Sequence, residues 1–273
     1  MAFYGDYFVF DNISSERYNL RITTPKSDED INISEYKSEL KKTPRRTKFY
    51  ATKQKVEEPL ILAMSIYSET PLTRNQLDQI ERWLFKPDSK YRKLRINQPD
   101  MQGYYYNCRL EKLNAGTFGN IPYQFNIIMI CDSQYAWQNQ QTRVYNITST
   151  PCNVKFVNIS SEELMCPIYE IKCSSLEGLM GIESEGRNIK IVNNQYEDDR
   201  LNVMEFTGLF NDEILQIDTE HGIITSNMRT SGVLDLFTYP NFMKLNRGTN
   251  NFLITGDIAE FKIIYQNARK LGG

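Results

Sequence analysis

Residues 241–265 read NFMKLNRGTNNFLITGDIAEFKIIY, and the fold turns on how this stretch is taken. Apolar residues alternate with polar ones in NFMKL, in NFLITG and again in AEFKIIY, a period of two that points to strands rather than helix. Asn246-Arg247-Gly248-Thr249-Asn250 supplies a turn between the first two, and Gly256-Asp257 a turn before the third. No residue in the stretch suggests catalysis. The expectation is three strands that close one edge of a β-sandwich.

Working upstream, the same pattern recurs in CNVKFVNI, IYEIKC, RNIKIVN, RLNVMEFTG, EILQID and GIITSN, separated by Gly, Asn, Asp and Ser clusters. Many short strands without a helical period between them indicate an antiparallel sandwich. Thr219-Glu220-His221-Gly222 joins two of them, and its His-Gly pair suits positive φ in a tight hairpin. Before residue 136 the pattern differs. YYYNCRLEKL and YQFNIIMIC form an antiparallel pair, EPLILAMSIYS reads as a buried strand, and FVFDNISSERYNLRI as strand, turn and strand. One helix stands out over about 73–86. Thr73 suits its N-cap with Gln76 as capping-box partner, Leu72 and Leu77 take the staple positions, and Pro87 stops it. Trp83 beside its apolar face reads as core. The expected fold is therefore mainly β: an α+β N-terminal domain with one main helix over 1–135, then an antiparallel β-sandwich over 136–273. The boundary is placed in the polar run DSQYAWQNQQT.

Residues 23–58 break the pattern. They are highly charged and poor in large aliphatics, with Lys41, Lys42, Arg45, Arg46 and Lys48 clustered ahead of Phe49 and Tyr50. Such a segment cannot bury enough apolar surface to stand as core, so a charged β-hairpin arm that docks on a neighbour is expected. Acidic Asp28, Glu29, Asp30, Glu35 and Glu39 lie close by, which argues against a nucleic-acid patch.

Composition narrows the function classes. The 273 residues carry 32 Lys and Arg against 34 Asp and Glu, a net charge of −2 with no basic excess for nucleic acid or membrane surfaces. The N-terminus lacks a signal-peptide pattern, and the longest apolar runs fall far short of the roughly 20 residues that span a bilayer. Five cysteines without a CxxC pair read as buried free thiols, consistent with assembly in a cytoplasm. The single histidine, His221, lies in the hairpin turn, which leaves no base for a Ser-His-Asp or Cys-His mechanism. GxSxG, HExxH, GxxxxGK and GxGxxG motifs are missing, and the acidic pairs Asp198-Asp199 and Glu162-Glu163 sit in polar loops. No enzyme, cofactor or metal site is expected.

The order of these segments resembles the Dit family, the distal tail proteins of long-tailed phages. FVFDNISSERYNLRI looks like that family's opening segment, and the charged arm, the LTRNQLDQIERWLF helix and the tyrosine-rich hairpin follow in its order. NISSEELMCPIYEI, FTGLFNDEILQIDTEHGIITSN and the closing 241–265 stretch look like its galectin-like C-terminal domain. The resemblance implies a virion structural protein at the tail tip, assembled in the host cytoplasm. It implies a homohexameric ring built by the N-terminal domains, with the arm embracing a neighbour. Its partners would be the tail tube, tape measure and tail-associated hub proteins, with a receptor-binding protein on the outer domains. Host attachment would follow from that baseplate position. The alternative is a carbohydrate-binding adhesin. Galectin sugar sites use a stacking Trp and a His, but Trp83 and Trp137 precede the bulk of the second domain, so only Tyr169, Tyr196 or Tyr239 could serve.

Overall fold

A computed structural model describes residues 6–23, 36–42, 49–55, 59–118, 121–175, 186–193, 202–238 and 242–270. The chain divides into two compact units, one of residues 1–138 with 269–273 and one of residues 139–268.

The first unit opens with β1 (Phe8–Phe10), β2 (Ile13–Ser14) and β3 (Leu20–Ile22). Next come β4 (Tyr36–Lys42), β5 (Phe49–Lys55) and β6 (Ile61–Ser68), followed by the helix α1 (Arg74–Leu84). β7 (Arg92–Ile96), β8 (Tyr104–Phe118), β9 (Ile121–Cys131) and β10 (Tyr135–Gln138) complete it. Its main sheet runs β2-β1-β7-β8-β9-β6-β3, all antiparallel. The run DSQYAWQNQQT, read from sequence as a patternless boundary, contains β10: Trp137 pairs with Tyr105, and Tyr135 and Ala136 are buried. Tyr135 and Trp137 give this strand its bulk in place of branched aliphatics, so its composition reads as polar.

Helix α1 starts as a capping box, Thr73 Oγ1 accepting from Gln76 N at 3.3 Å and Gln76 Oε1 accepting from Thr73 N at 2.9 Å. Ile80, Trp83 and Leu84 bury its apolar face on one side of the sheet. Trp83 stacks 5.6 Å from Phe8, and its indole N–H donates to the Phe10 carbonyl at 2.9 Å. A buried indole thus keeps its polar edge satisfied. The Asn-Ile-Ser-Ser turn has a similar logic. Ser15 is fully buried, its hydroxyl donating to the Leu20 carbonyl at 2.9 Å and accepting from Phe8 N at 3.2 Å, which ties β1 to β3.

The second unit contains β11 (Gln141–Asn146), β12 (Cys152–Asn158), β13 (Leu164–Met165) and β14 (Ile168–Cys173). It continues with β15 (Arg187–Asn193), β16 (Val203–Leu209), β17 (Ile214–Asp218) and β18 (Ile223–Ser226). β19 (Leu245–Asn246), β20 (Gly248–Gly256) and β21 (Ile258–Tyr265) complete it, while the last strand of the chain, β22 (Ala268–Lys270), belongs to the sheet of the first unit, where it pairs with β10. A five-stranded sheet, β11-β21-β14-β17-β18, and a four-stranded sheet, β12-β20-β15-β16, share one hydrophobic core. Tyr169, Phe252 and Phe261 interlock at its centre with ring centroids 5.5–6.5 Å apart.

The closing stretch differs from its sequence reading. β20 and β21 are not an edge: each is an interior strand, and they lie in different sheets. Gly256-Asp257 carries the chain across the core from one sheet to the other. Among the described residues of NFMKL only Leu245 pairs, with Met165, and the strand continues to Asn246 opposite Leu164. The expected turn over Asn246–Asn250 contracts to Arg247, because β20 already starts at Gly248 and pairs to Asn158 there. Asn250 faces inward, donating to the Asn246 and Gly248 carbonyls, so a turn-type residue serves within a strand.

Candidate assembly surface

The first unit leaves one face of its sheet without a helix, and the part of that face on β6 and β9 is unusually apolar. In β6 the buried Leu62, Met64 and Ile66 point toward α1, while Ile61, Ala63 and Tyr67 alternate outward. Ile61 is 61% exposed. Register places Ile130 beside Ile61 and Ile128 beside Ala63, and cross-strand neighbours share a face. On the far side of β9, Arg109 lies opposite Ile130 and Lys112 opposite Ile128. The result is an aliphatic band flanked by cations, with Ser65, Asn126 and Gln124 continuing it as a polar zone. An antiparallel sheet facing water carries polar outward positions. A contiguous apolar band rimmed by polar residues marks an interaction site instead. Sequence reading did not single this face out. Its signal was available: ILAMSIY and NIIMIC are apolar at both parities, as strands covered on two faces are.

The arm supplies a second unusual feature. β4 and β5 pair antiparallel from Tyr36↔Lys55 to Lys42↔Phe49, and among the described residues they pair with no other strand. A two-stranded ribbon alone is marginal in water. Of the predicted contact residues, Lys41 pairs with Tyr50 and Lys42 with Phe49. Arg45, Arg46 and Lys48 lie outside the described residues.

His221 is exposed in the β17–β18 hairpin, where its Nδ1 lies 2.8 Å from Asp218 Oδ2 and its backbone N–H donates to Asp218 Oδ1. Of the expected His-Gly pair with positive φ, only Gly222 has it, at +67°. The hydrogen bond that His221 donates to the Asp218 carboxylate raises the His221 pKa above the ordinary 6.5. For Asp218, partial burial acts upward, but hydrogen bonds from His221 and Glu220 outweigh it and the pKa falls below 3.8. The pair is therefore strongest between about pH 4 and 6.5. It weakens as pH falls through the Asp218 value and is lost as pH rises through that of His221. NMR titration should place the imidazole midpoint above 6.5, and Asp218→Asn should return it to that value. An unshifted wild-type midpoint would contradict the contact.

Among the described residues no group of three or more His, Cys, Asp and Glu side chains could hold a metal, and no helix is long and apolar enough to cross a membrane. Cys108, Cys131 and Cys173 are buried, Cys152 and Cys166 half-buried, all as free thiols. Burial pushes the Cys173 thiol up to about 12. Asp198 and Asp199 lie outside the described residues, while Glu162 and Glu163 engage through their backbones, with Ser160 Oγ and Arg247 N. Tyr169, one of three tyrosines that might have stacked a sugar, is fully enclosed in the sandwich core, because its strand position faces Phe252 and Phe261. Tyr196 and Tyr239 lie outside the described residues.

Comparison with known proteins agrees with this architecture. Residues 3–133 match a phage tail protein N-terminal domain family, and residues 135–265 a phage tail C-terminal domain family. No curated protein matches the sequence. Among solved structures the fold is similar to the SPP1 Dit protein (gp 19.1), described as a paradigm of the hub adsorption apparatus of phages that infect Gram-positive bacteria. The TM-score is 0.66 at 10% identity, over 95% of this chain and 98% of that one. Chains of the phage p2 baseplate, activated with Ca or with Sr, align at TM-scores of 0.43 and 0.44, each at 11% identity. They cover 95% and 97% of this chain and 97% and 98% of theirs. The chain belongs to the phage tail protein family that these N- and C-terminal domains define, and it has the fold of a Dit protein.

Proposed function

We propose that the chain builds a closed homohexameric ring at the distal tip of a long flexible phage tail. The N-terminal unit forms the ring, joining the tail tube above to the tail-associated hub protein below, with the tape measure protein threading the same axis. The sandwich presents an outer surface to a receptor-binding protein. The role is structural rather than catalytic, and the virion is its destination.

The observation that carries this reading is the outward aliphatic band of Ile61, Ala63, Ile128 and Ile130, in a unit whose helix already covers the opposite face. The unpartnered β4–β5 ribbon supports it. A cyclic ring needs one surface of each copy to meet a different surface of the next, and the band and the two-stranded ribbon supply two such surfaces. The adhesin reading loses support, since Tyr169 cannot reach a saccharide.

Light scattering behind size exclusion tests the ring. Six copies of the 32.0 kDa chain give 6 × 32.0 kDa = 192 kDa, and negative-stain images of that peak should show open rings. The double change Ile61→Lys and Ile130→Lys should return single chains while leaving the thermal midpoint of the monomer intact. A wild-type chain that stays monomeric at every concentration would overturn self-assembly into a ring.

A further inference from the structure

Where β9 ends, the first unit holds two thiols side by side in its core, and the ring reading uses neither. Cys108 of β8 lies directly opposite Cys131, the last residue of β9. Both are fully buried and belong to the apolar cluster that the sheet shares with α1. The Cys108 thiol donates to the Met129 sulfur at 3.4 Å, so it leans toward β9. Its pKa is held far above the ordinary 9.0, first by contact with the Cys131 sulfur and then by burial. Cys152 lies opposite Ile254 and Cys173 opposite Ile258, and Cys166 is in no strand, so Cys108 and Cys131 are the pair that register selects.

Backbone hydrogen bonds fix what kind of pair this is. The Cys131 N–H donates away from β8, to the Leu60 carbonyl at 2.8 Å, and the Asp132 N–H donates to the Asn107 carbonyl at 2.9 Å. The two cysteines therefore occupy a non-hydrogen-bonded site of the ladder, where facing Cα atoms stand about 4.5 Å apart and side chains come closest. A disulfide accepts Cα separations of about 4.4–6.8 Å, a range that includes this spacing.

We propose that Cys108 and Cys131 are a disulfide site, open while the chain is made and closed afterwards by a small oxidant of the peroxide class. The proposal takes from the virion reading only the change of compartment, from a reducing cytoplasm to an oxidising exterior. One sulfur, as thiolate, attacks hydrogen peroxide: an S–O bond forms, the O–O bond breaks and hydroxide leaves, giving a sulfenic acid. The second sulfur attacks the first: an S–S bond forms, the S–O bond breaks and water leaves. The net change converts two thiols and one peroxide into one disulfide and two waters, which carry off both thiol protons.

Access comes from the strand end. Exposed Asp132 follows Cys131, so loosening the two backbone bonds there bares the sulfur without unfolding the sheet. Burial makes closure slow. The bond also has a use at this place. Arg109 and Ile130 are the next pair in the ladder, and Ile130 belongs to the outward aliphatic band. A covalent link one residue away pins the register on which that band depends.

The test uses the folded, full-length chain. It is purified reduced, incubated with hydrogen peroxide at neutral pH without denaturant, quenched, then alkylated and digested without reduction. Mass spectrometry should find a peptide linked through Cys108 and Cys131. The thermal midpoint of the first unit should rise by about 5 °C or more, and dithiothreitol should reverse both changes. Cys131→Ala, which leaves Cys108 no partner, should show neither. Recovery of the two wild-type cysteines as alkylated thiols, or as separate sulfinic acids, overturns the proposal. The readout is covalent and needs no assembly: a monomeric chain that closes the bond refutes the ring and keeps the disulfide, whereas a ring whose thiols stay open does the reverse.

Discussion

Gly256→Ala should unfold the second unit under conditions where wild type is fully folded, at a cost of about 4 kcal/mol or more. Gly256 has φ of +97°, and a Cβ there would overlap the Asn188 carbonyl oxygen and crowd Ile189. That carbonyl cannot retreat, because it accepts from Asp257 N at 2.9 Å, and Arg187 clamps the same corner through Asp257 Oδ1 at 2.9 Å. The glycine also marks the point where β20 leaves one sheet and the chain enters the other, so a shift there displaces interior strands of both. Gly248→Ala is the control. Its φ of +96° is equally left-handed, but nothing lies within 4 Å of an added Cβ, so only backbone strain of about 1–2 kcal/mol is expected. Denaturant unfolding of the two variants separates strain from overlap. Equal losses would show that the Asn188 contact is not what requires glycine.

Arg229→Met should cost about 3–5 kcal/mol, the usual result of stranding one partner of a buried ion pair. Glu213 is wholly enclosed, and Arg229 meets it at 3.0 Å through Nε and 3.4 Å through Nη2. Ser226 Oγ donates to the same carboxylate at 2.6 Å and Phe210 N at 2.8 Å. Arg229 also donates to the Gly208 carbonyl at 2.6 Å and lies 3.9 Å from the Phe210 ring centroid. The cluster joins the end of β16, the start of β17 and the segment after β18, holding together strands of both sheets. Pairing Arg229→Met with Glu213→Leu should recover most of the loss, since two apolar groups leave no charge uncompensated. A double variant as unstable as the single one would mean the geometry, not the charge balance, carries the cluster.

Much of the first unit was legible because its determinants are local. Thr73, Gln76 and Leu72 announce the start of α1 within one turn, and period-two alternation announces β6, β8 and β9. The mainly β fold class and the phage tail kinship followed from the order of such segments. The candidate surface was half legible. The charge of residues 23–58 singled out the arm, but the band of Ile61, Ile128 and Ile130 forms only when β6 and β9 pair in one register.

The second unit shows the limit most clearly. The stretch 241–265 announces strands and the turn residues between them, since alternation and glycine act on their own few residues. It does not announce that β20 and β21 part into opposite sheets, or that Glu213 finds Arg229 across the end of the sandwich. A period of two states which side chains share a face and is silent on which strand lies alongside. That choice is made by burial of Tyr169, Phe252 and Phe261 against one another, an energy that exists only once both sheets are in place.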